Sequence, residues 1–226
     1  MRLSPGVPKV ATPYEPFDLY RKLSYDHAFD PSWPDGDWPL RGGFDPSFFE
    51  IVLGAILTQN TRWTNVETAL GGLLRGKLDT PGRVLRASRP ELEDAIRPAG
   101  FFRRKASTIV RVARLLEETG ERAPERSDLL ALRGIGPETA DAILLYAFGL
   151  PEFVVDAYTR RLLSRLGTIE TGDGYERVRV RIEAGLPRDV RLYKTFHALI
   201  VEHGKRVCRR RPRCGECVLR VRCPSA

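Results

Sequence analysis

The sequence is poor in cysteine and has no long apolar run. No cysteine occurs before residue 208, and no apolar stretch approaches the roughly 20 residues that a membrane-spanning helix requires. The first 15 residues lack the hydrophobic core of a signal peptide. These absences argue against export and against membrane insertion, and we expect a cytoplasmic protein.

Positively charged side chains outnumber negatively charged ones. The chain has 37 Lys and Arg residues against 29 Asp and Glu residues, a net charge of +8. Because Lys and Arg neutralise phosphates and release counterions, this excess is typical of proteins that bind nucleic acid. An excess that only keeps the protein soluble is an equally good reading. Hydrophobic residues make up 42% of the chain, enough to bury a core and to argue against disorder.

All four cysteines, Cys208, Cys214, Cys217 and Cys223, lie in the segment "CRRRPRCGECVLRVRC". Thiolates this close in sequence either bind a metal centre or form disulfides, and nothing indicates the export that disulfides would require. Structural zinc sites usually pair two Cys-x2-Cys knuckles, and only Cys214 and Cys217 form one. We therefore favour a [4Fe–4S] cluster, in which each iron takes one thiolate, over zinc.

Basic residues crowd this cysteine segment. Their charges offset the negative charge of a thiolate-ligated cluster, and they are also suited to face phosphates. They are Lys205, Arg206, Arg209, Arg210, Arg211, Arg213, Arg220 and Arg222.

The spacing of apolar residues predicts helices along most of the chain and no convincing strand. The fold is therefore predicted to be all-α, and an Asp45-Pro46 pair predicts the cap of one helix. The predicted helices cover 45–60, 62–76, 88–100, 101–120, 127–134, 137–149, 156–167, 175–186 and 189–204, with a further one around Phe17–Asp26.

A glycine turn joins two of these helices in "LLALRGIGPETADAILLYAFG". Glycines let the backbone approach a partner closely, and Pro137 is suited to the first turn of the second helix. The free amides at that helix start suit a DNA phosphate without reading any base. The pattern from Leu132 to Ala140, with Gly134, Gly136 and Thr139 in place, is typical of a helix–hairpin–helix motif.

This hairpin, the following "FVVDAYTRR" and the C-terminal "EHGKRVCRRRPRCGECVLRVRC" together resemble the endonuclease III branch of the helix–hairpin–helix DNA glycosylases. The resemblance covers residues from about 45 to 223. It implies two α-helical domains, 44–150 and 1–43 joined to 151–226, with the cluster in the second and a DNA groove between them. It also implies a nucleoid-associated monomer that acts on double-stranded DNA containing a damaged base.

Asp156 matches the aspartate that members of this family carry shortly after the hairpin. A carboxylate suits glycosidic cleavage, because it stabilises the positive charge that develops on the sugar or activates water. Asp is also a common N-cap, and Asp156 begins a predicted helix. From the residues alone the cap is the better reading; the resemblance implies the catalytic role.

The lysine that bifunctional relatives use as a nucleophile is missing. Its position in the hairpin is Glu138, and no lysine occurs between Lys105 and Lys194. Arginine stays protonated and cannot replace the amine that forms a Schiff base with the sugar. We therefore predict a monofunctional glycosylase with weak or absent AP-lyase activity, which releases the base and leaves the abasic strand intact.

The motifs look most like those of endonuclease III-related proteins grouped with a bacterial 3-methyladenine DNA glycosylase, which implies an alkylated purine substrate. Oxidised pyrimidines or a mismatched thymine remain open as substrates. A bifunctional glycosylase/lyase of the endonuclease III type and a non-catalytic module that binds damaged DNA are the alternative functions.

Further residues are candidates for DNA contacts. Gln59 matches the residue that the family inserts into the duplex, although polar residues at helix ends are often only caps. Arg133, Gly134, Gly136 and Thr139 of the hairpin would anchor phosphates. Base-pocket candidates are Glu138, Trp63 and Tyr158; Trp33, Trp38 and Phe44 could also stack on an extruded base, although aromatic residues at helical spacing are more often core.

Overall fold

The computed structural model describes residues 14–25, 41–44, 47–120 and 122–226. Within these ranges the regular structure is helical and no strand occurs, which confirms the all-α prediction. The α-helices are α1 Pro16–Ser24, α2 Ser47–Leu57, α3 Trp63–Arg75, α4 Pro81–Arg86, α5 Arg89–Ala95, α6 Phe102–Thr119, α7 Arg126–Ala131, α8 Pro137–Ala142, α9 Ala157–Arg165, α10 Tyr175–Ala184 and α11 Val190–Arg206.

Each predicted helix has a counterpart, with shifted ends. The segment after the glycine turn divides into α8 and a π-helical continuation, Ile143–Ala147. Helix α4 was missed, although Thr80 caps it by accepting a hydrogen bond from the Arg83 amide at 3.1 Å. Asp26, the Asp45-Pro46 cap and the aromatic candidates Trp33 and Trp38 lie outside the described residues.

Buried apolar residues form two clusters. The first joins α2–α7, the glycine turn and α8, with fully buried residues such as Phe49, Leu70 and Ile109 at its centre. The second joins α1 and α9–α11 around Phe153 and Phe196. Helix α2 and the π-helical segment contribute side chains to both clusters. The domain boundaries at residues 44 and 150 stay a prediction.

An ion-pair network ties the hairpin to α10. The fully buried carboxylate of Asp141 on α8 accepts two hydrogen bonds from Arg126 on α7, at 2.6 and 3.2 Å. Arg126 also donates to Glu176 on α10 at 2.5 Å. The hydrogen bond to Asp141 is the main cause that raises the pKa of Arg126. A charge pair buried in this way fixes the direction in which α8 leaves the glycine turn.

Among the described residues, no helix combines the length and the apolar character needed to cross a membrane.

Candidate active site

Asp156 is held at the start of α9. The three residues before it, Phe153–Val155, are buried in the second cluster, and this anchors the extended segment that leads to the helix. The Oδ1 atom of Asp156 accepts a hydrogen bond from the amide of Thr159 at 2.7 Å. The predicted N-cap is thus present. It engages only one of the two carboxylate oxygens.

The other oxygen of Asp156 faces a histidine. Atom Nε2 of His197, on α11, lies 3.7 Å from Oδ2 of Asp156. The Nδ1 atom of His197 lies 2.7 Å from the hydroxyl oxygen of Tyr146, on the π-helical segment. Sequence reasoning placed His197 on a helix without giving it a role. Its contact with Asp156 spans 41 residues of chain, so no local pattern could reveal it.

Two opposing influences set the pKa of Asp156. Burial is the largest and favours the neutral form, but the nearby imidazole of His197 and the Thr159 amide outweigh it. The pKa of Asp156 therefore lies below its ordinary value. Because this folded-state pKa is lowered, ionised Asp156 stabilises the fold above its unfolded-state pKa, and that contribution is lost as the pH falls through the folded value. At neutral pH Asp156 is an anion.

Glu138 is the second carboxyl group of the site. It lies in the first turn of α8 and its side chain is accessible to solvent. Burial by the surrounding protein raises the pKa of Glu138, and the negative charge of Asp156 adds to that effect. Glu138, which occupies the position where the lysine of bifunctional relatives is missing, thus interacts electrostatically with Asp156.

Gln59 contacts the hairpin directly. Its side-chain amide donates to the carbonyl of Gly134 at 3.1 Å and to the hydroxyl of Thr139 at 3.0 Å. Three of the predicted DNA-binding residues therefore meet at one place, although they are up to 80 positions apart in the chain. Arg133 is exposed beside them, and its carbonyl accepts from Arg111 at 3.2 Å.

The two hairpin glycines are constrained differently. Gly134 has a φ of +102°, and a Cβ there would lie 2.2 Å from the hydroxyl oxygen of Thr108. Gly136 has a φ of −99°, and a Cβ there would meet no atom within 4 Å. The fold therefore requires glycine at Gly134. At Gly136 a side chain fits the protein itself.

Alanine substitutions should separate these two requirements. We expect Gly134→Ala to lower the free energy of unfolding by about 1–3 kcal/mol, through backbone strain and the contact with Thr108. Gly136→Ala should keep that free energy within about 0.5 kcal/mol and still weaken duplex binding, because its methyl group lies on the exposed face of the turn. Urea denaturation and fluorescence anisotropy with a duplex measure the two effects. Unchanged duplex binding by Gly136→Ala would contradict a phosphate contact at this turn.

An open groove of about 800 Å³ begins at the residue that follows Gln59. It is lined by the loop before α3 and the first turn of that helix, by Ala157, which follows Asp156, and by Arg210 of the cysteine segment. The groove thus brings the start of α9 and the basic loop to one surface. The lining residues from the loop and from α3 are Asn60, Thr61, Arg62, Thr64 and Asn65.

Phe101 is a candidate that sequence reasoning missed. It adopts a left-handed conformation, with a φ of 45°, and its side chain is 62% exposed. Strained, exposed aromatic residues are candidates for function. The sequence does not distinguish Phe101 from the adjacent Phe102, which packs against the first cluster.

Lys105 holds the Phe101 loop next to the Gln59 loop. Its buried ammonium donates to the carbonyls of Leu57 and Ala99, both at 2.8 Å. Leu57 ends α2 two residues before Gln59, and Ala99 lies two residues before Phe101. Burial lowers the pKa of Lys105.

The aromatic pocket candidates are packed against protein. Trp63 begins α3 and is partly buried against the first cluster. Tyr158 is half-buried against the second cluster, its ring 4.9 Å from the guanidinium of Arg161 and close to Gly204 on α11. Phe44 is buried in the first cluster. These surroundings are those of packing residues, and stacking on a base stays a prediction for Trp63 and Tyr158.

All four cysteines line one cavity, together with apolar residues such as Leu162 and Leu219. The cysteines are Cys208, Cys214, Cys217 and Cys223. Burial raises the pKa of the Cys217 and Cys223 thiols, and repulsion between the neighbouring sulfurs adds to it. A cationic centre bound in this cavity would favour the thiolate forms of Cys217 and Cys223.

Two further side chains approach the cysteine sulfurs. Arg165 donates to the sulfur of Cys208 at 3.2 Å, and Nε2 of His203 lies 3.5 Å from the sulfur of Cys217. Within the described ranges, no group of three or more His, Cys, Asp or Glu side chains is arranged to hold a metal ion. By its chemistry, a set of four thiols suits either a cubane, whose four irons each take one thiolate, or a zinc ion.

Comparisons with known proteins match the whole site region. Residues 53–188 match the family model described as HhH-GPD superfamily base excision DNA repair protein. A protein of Methanocaldococcus jannaschii, provisionally named a DNA repair glycosylase, is 39% identical over 215 residues, covering 90% of this chain and 94% of that protein. Endonuclease III of Thermotoga maritima is 34% identical over 178 residues, covering 77% of this chain and 82% of the relative.

Solved structures show the same architecture. The 3-methyladenine DNA glycosylase of H. pylori, bound to 1,N6-ethenoadenine, has a TM-score of 0.72 and 28% identity, covering 85% of this chain and 98% of that one. A non-covalent complex of endonuclease III with DNA has a TM-score of 0.75 and 23% identity, covering 92% of this chain and 93% of that one. The likeness to endonuclease III in that complex concerns the fold alone.

Proposed function

As a member of the HhH-GPD superfamily of base excision DNA repair proteins, this chain is a DNA glycosylase, and we propose that it releases its damaged base by hydrolysis without cutting the strand. The observation that carries this proposal is a pair of carboxyl groups close enough for their charges to interact. Asp156 is an anion held at a helix start, and Glu138 occupies the hairpin position where bifunctional relatives place a lysine.

Asp156 is the proposed catalytic residue. When the nucleotide is extruded from the duplex, its sugar gains oxocarbenium character as the base leaves. A fixed anion stabilises that charge most effectively when it is desolvated and already oriented. Both conditions hold for Asp156, because burial removes water and the Thr159 amide fixes one oxygen. Water then completes the hydrolysis at the sugar.

Two of the described lysines are engaged by neighbouring groups, which supports the absence of lyase chemistry. Both hydrogen bonds of the buried Lys105 ammonium go to backbone carbonyls, and Lys205 pairs with Glu202 at 3.2 Å. Lys194 should be tested as a nucleophile, because it lies near the candidate catalytic group. Its Nζ atom lies 5.8 Å from the ring centre of Tyr146, which contacts His197 beside Asp156.

An alkylated purine is the proposed substrate class. Alkylation of a ring nitrogen gives the purine a positive charge, which a site with two carboxyl groups attracts. Similarity to the H. pylori 3-methyladenine glycosylase supports the same class. Similarity to the endonuclease III of Thermotoga maritima keeps oxidised pyrimidines as the alternative, together with the bifunctional reaction.

The surrounding elements would bind the duplex. Gly134 and Gly136 would let the hairpin backbone approach a phosphate, with Arg133 and Thr139 beside it. Gln59 would enter the space that the extruded base leaves, and the exposed ring of Phe101 would act as an apolar wedge. The shared anchor at Lys105 supports a joint action of these two loops.

A [4Fe–4S] cluster is the proposed cofactor, held by Cys208, Cys214, Cys217 and Cys223. When bound, it would supply a fixed centre that shapes the arginine-rich loop, and hydrolysis would take place at Asp156. Arg210 links this loop to the groove, because it is one of the lining residues. The support for the cluster is the single cavity that all four cysteines line.

Mass spectrometry of released bases tests the proposal. The protein is incubated with duplexes that are methylated, oxidised or mismatched, and strand integrity is followed before and after alkali. We expect release of a methylated purine, an unbroken strand until alkali is added, and no adduct trapped by borohydride. Release only from oxidised or mismatched duplexes would show that the substrate is an oxidised or mismatched base and not an alkylated purine. A trapped adduct would contradict the monofunctional reaction, and Lys194→Ala would show whether that amine forms it.

A further inference from the structure

A buried histidine lies next to the proposed catalytic carboxylate, and a buried tyrosine contacts that histidine. His197, on α11, is 7% exposed and Tyr146, on the π-helical segment, is 5% exposed. Their polar atoms are 2.7 Å apart, and the other nitrogen of the imidazole lies 3.7 Å from Asp156. Tyr146, His197 and Asp156 thus form a row that joins three separate elements of the fold. π-Helical turns within helices occur frequently at functional sites.

The chemistry of the row orients the imidazole. If Nδ1 of His197 carried the only ring proton, Nε2 would present a lone pair to the negative oxygen of Asp156. If instead the hydroxyl of Tyr146 donates to Nδ1, the ring proton resides on Nε2 and points at Asp156. A protonated imidazole places a proton there as well. In each favourable state an N–H of His197 faces the carboxylate.

We infer that His197, held in place by Tyr146, is a positioning residue that fixes the orientation and the negative charge of the Asp156 carboxylate during base release. The inference rests on the proposed catalytic role of Asp156. The Thr159 amide binds Oδ1 and the imidazole faces Oδ2, so rotation of the carboxylate would disrupt both interactions. Such preorganisation strengthens an electrostatic stabiliser, because no rearrangement is needed when charge develops.

The charges around Asp156 make His197 necessary. Glu138 on α8 brings a like charge, and burial also favours the neutral acid. Arg160, on α9, acts electrostatically on Glu138. The interaction with His197 is the leading contribution that lowers the pKa of Asp156. Without His197, only the hydrogen bonds of Thr159 would oppose burial, and the pKa of Asp156 would rise.

The test is the pH dependence of single-turnover base release by the full-length protein. The assay uses the duplex from which the wild-type protein releases a base. For His197→Ala we expect the acid limb of the profile to move to higher pH by at least about one unit, which corresponds to about tenfold slower release below it. His197→Gln, whose amide restores an N–H donor, should recover part of the shift. Tyr146→Phe, which removes one oxygen, should give a smaller shift in the same direction.

A matched packing control separates positioning from stability. Phe196→Leu changes the neighbouring buried residue of α11, whose ring packs on Tyr20 and Phe153. It should lower thermal stability and leave the acid limb in place. The inference would be overturned if the acid limb of His197→Ala stayed at the wild-type pH. It would also be overturned if His197→Ala lost the same fraction of its rate at every pH and Phe196→Leu showed the same loss. If His197→Ala does not fold, the profile of Tyr146→Phe decides alone.

The inference and the proposed function fail in different ways. Asp156→Asn that still releases base at the wild-type rate would overturn the catalytic role of Asp156 itself. Asp156→Asn that is inactive, together with wild-type profiles for the His197 and Tyr146 variants, would leave the proposed function standing and overturn only the positioning role.

Discussion

Asp156→Asn should reduce the single-turnover rate of base release by at least about 100-fold, the scale seen when one preorganised electrostatic group is removed. Asparagine keeps the size of the side chain and an oxygen that can accept the Thr159 amide, so the cap of α9 should persist. The substitution removes the negative charge that would stabilise the sugar cation. Duplex binding, measured by anisotropy, should therefore remain while release of the base is lost.

Asp189→Asn is the matched control. Asp189 caps α11 in the same way, with its Oδ1 accepting from the Leu192 amide at 2.6 Å. It differs from Asp156 in lying at the exposed start of its helix. We expect Asp189→Asn to release base at the wild-type rate. Equal rates for the wild type and both variants would show that Asp156 is only a cap. If no duplex yields a free base, the result would support the alternative of a non-catalytic module that binds damaged DNA.

The helices could be predicted because their causes are local. Apolar spacing and capping residues lie within each segment, and the fold class follows from them. Helix α4 was missed because its six residues bury only two side chains and show no clear period. The division of the π-helical segment from α8 was also beyond reach, since no residue in Ile143–Ala147 breaks a helix.

The candidate site could be predicted only where a motif carries it. Gly134 and Gly136 lie in a contiguous pattern, and Asp156 follows it closely, so resemblance was enough to propose them. His197 and Lys105 act through contacts that span 41 and 48 residues of chain. Such contacts depend on how α11 and α6 pack, which sequence periodicity does not specify. Phe101 shows its strain only in its backbone dihedral angle.

Glu138→Lys should give the protein a covalent reaction that we expect to be absent from the wild type. The position faces Asp156 closely enough for the two charges to interact. Burial at this position would lower the pKa of a lysine, while the Asp156 anion would raise it, and the deprotonated fraction of the amine is the nucleophile. That amine attacks the aldehyde carbon of the abasic sugar and water is lost, which gives a Schiff base that borohydride reduces to a stable adduct. We expect an adduct with Glu138→Lys and none with the wild type.

The substrate for this experiment is a duplex with a preformed abasic site, because loss of Glu138 could also impair release of the base. Arg133→Lys is the control, since it places an amine on the exposed part of the same hairpin, five positions earlier. An adduct with Glu138→Lys alone would place position 138 beside the sugar and Asp156 with it. Adducts with both variants would indicate only a general reactivity of hairpin amines. The absence of an adduct from a folded, duplex-binding Glu138→Lys variant would mean that the sugar lies away from α8, and the role proposed for the two carboxyl groups would then be wrong.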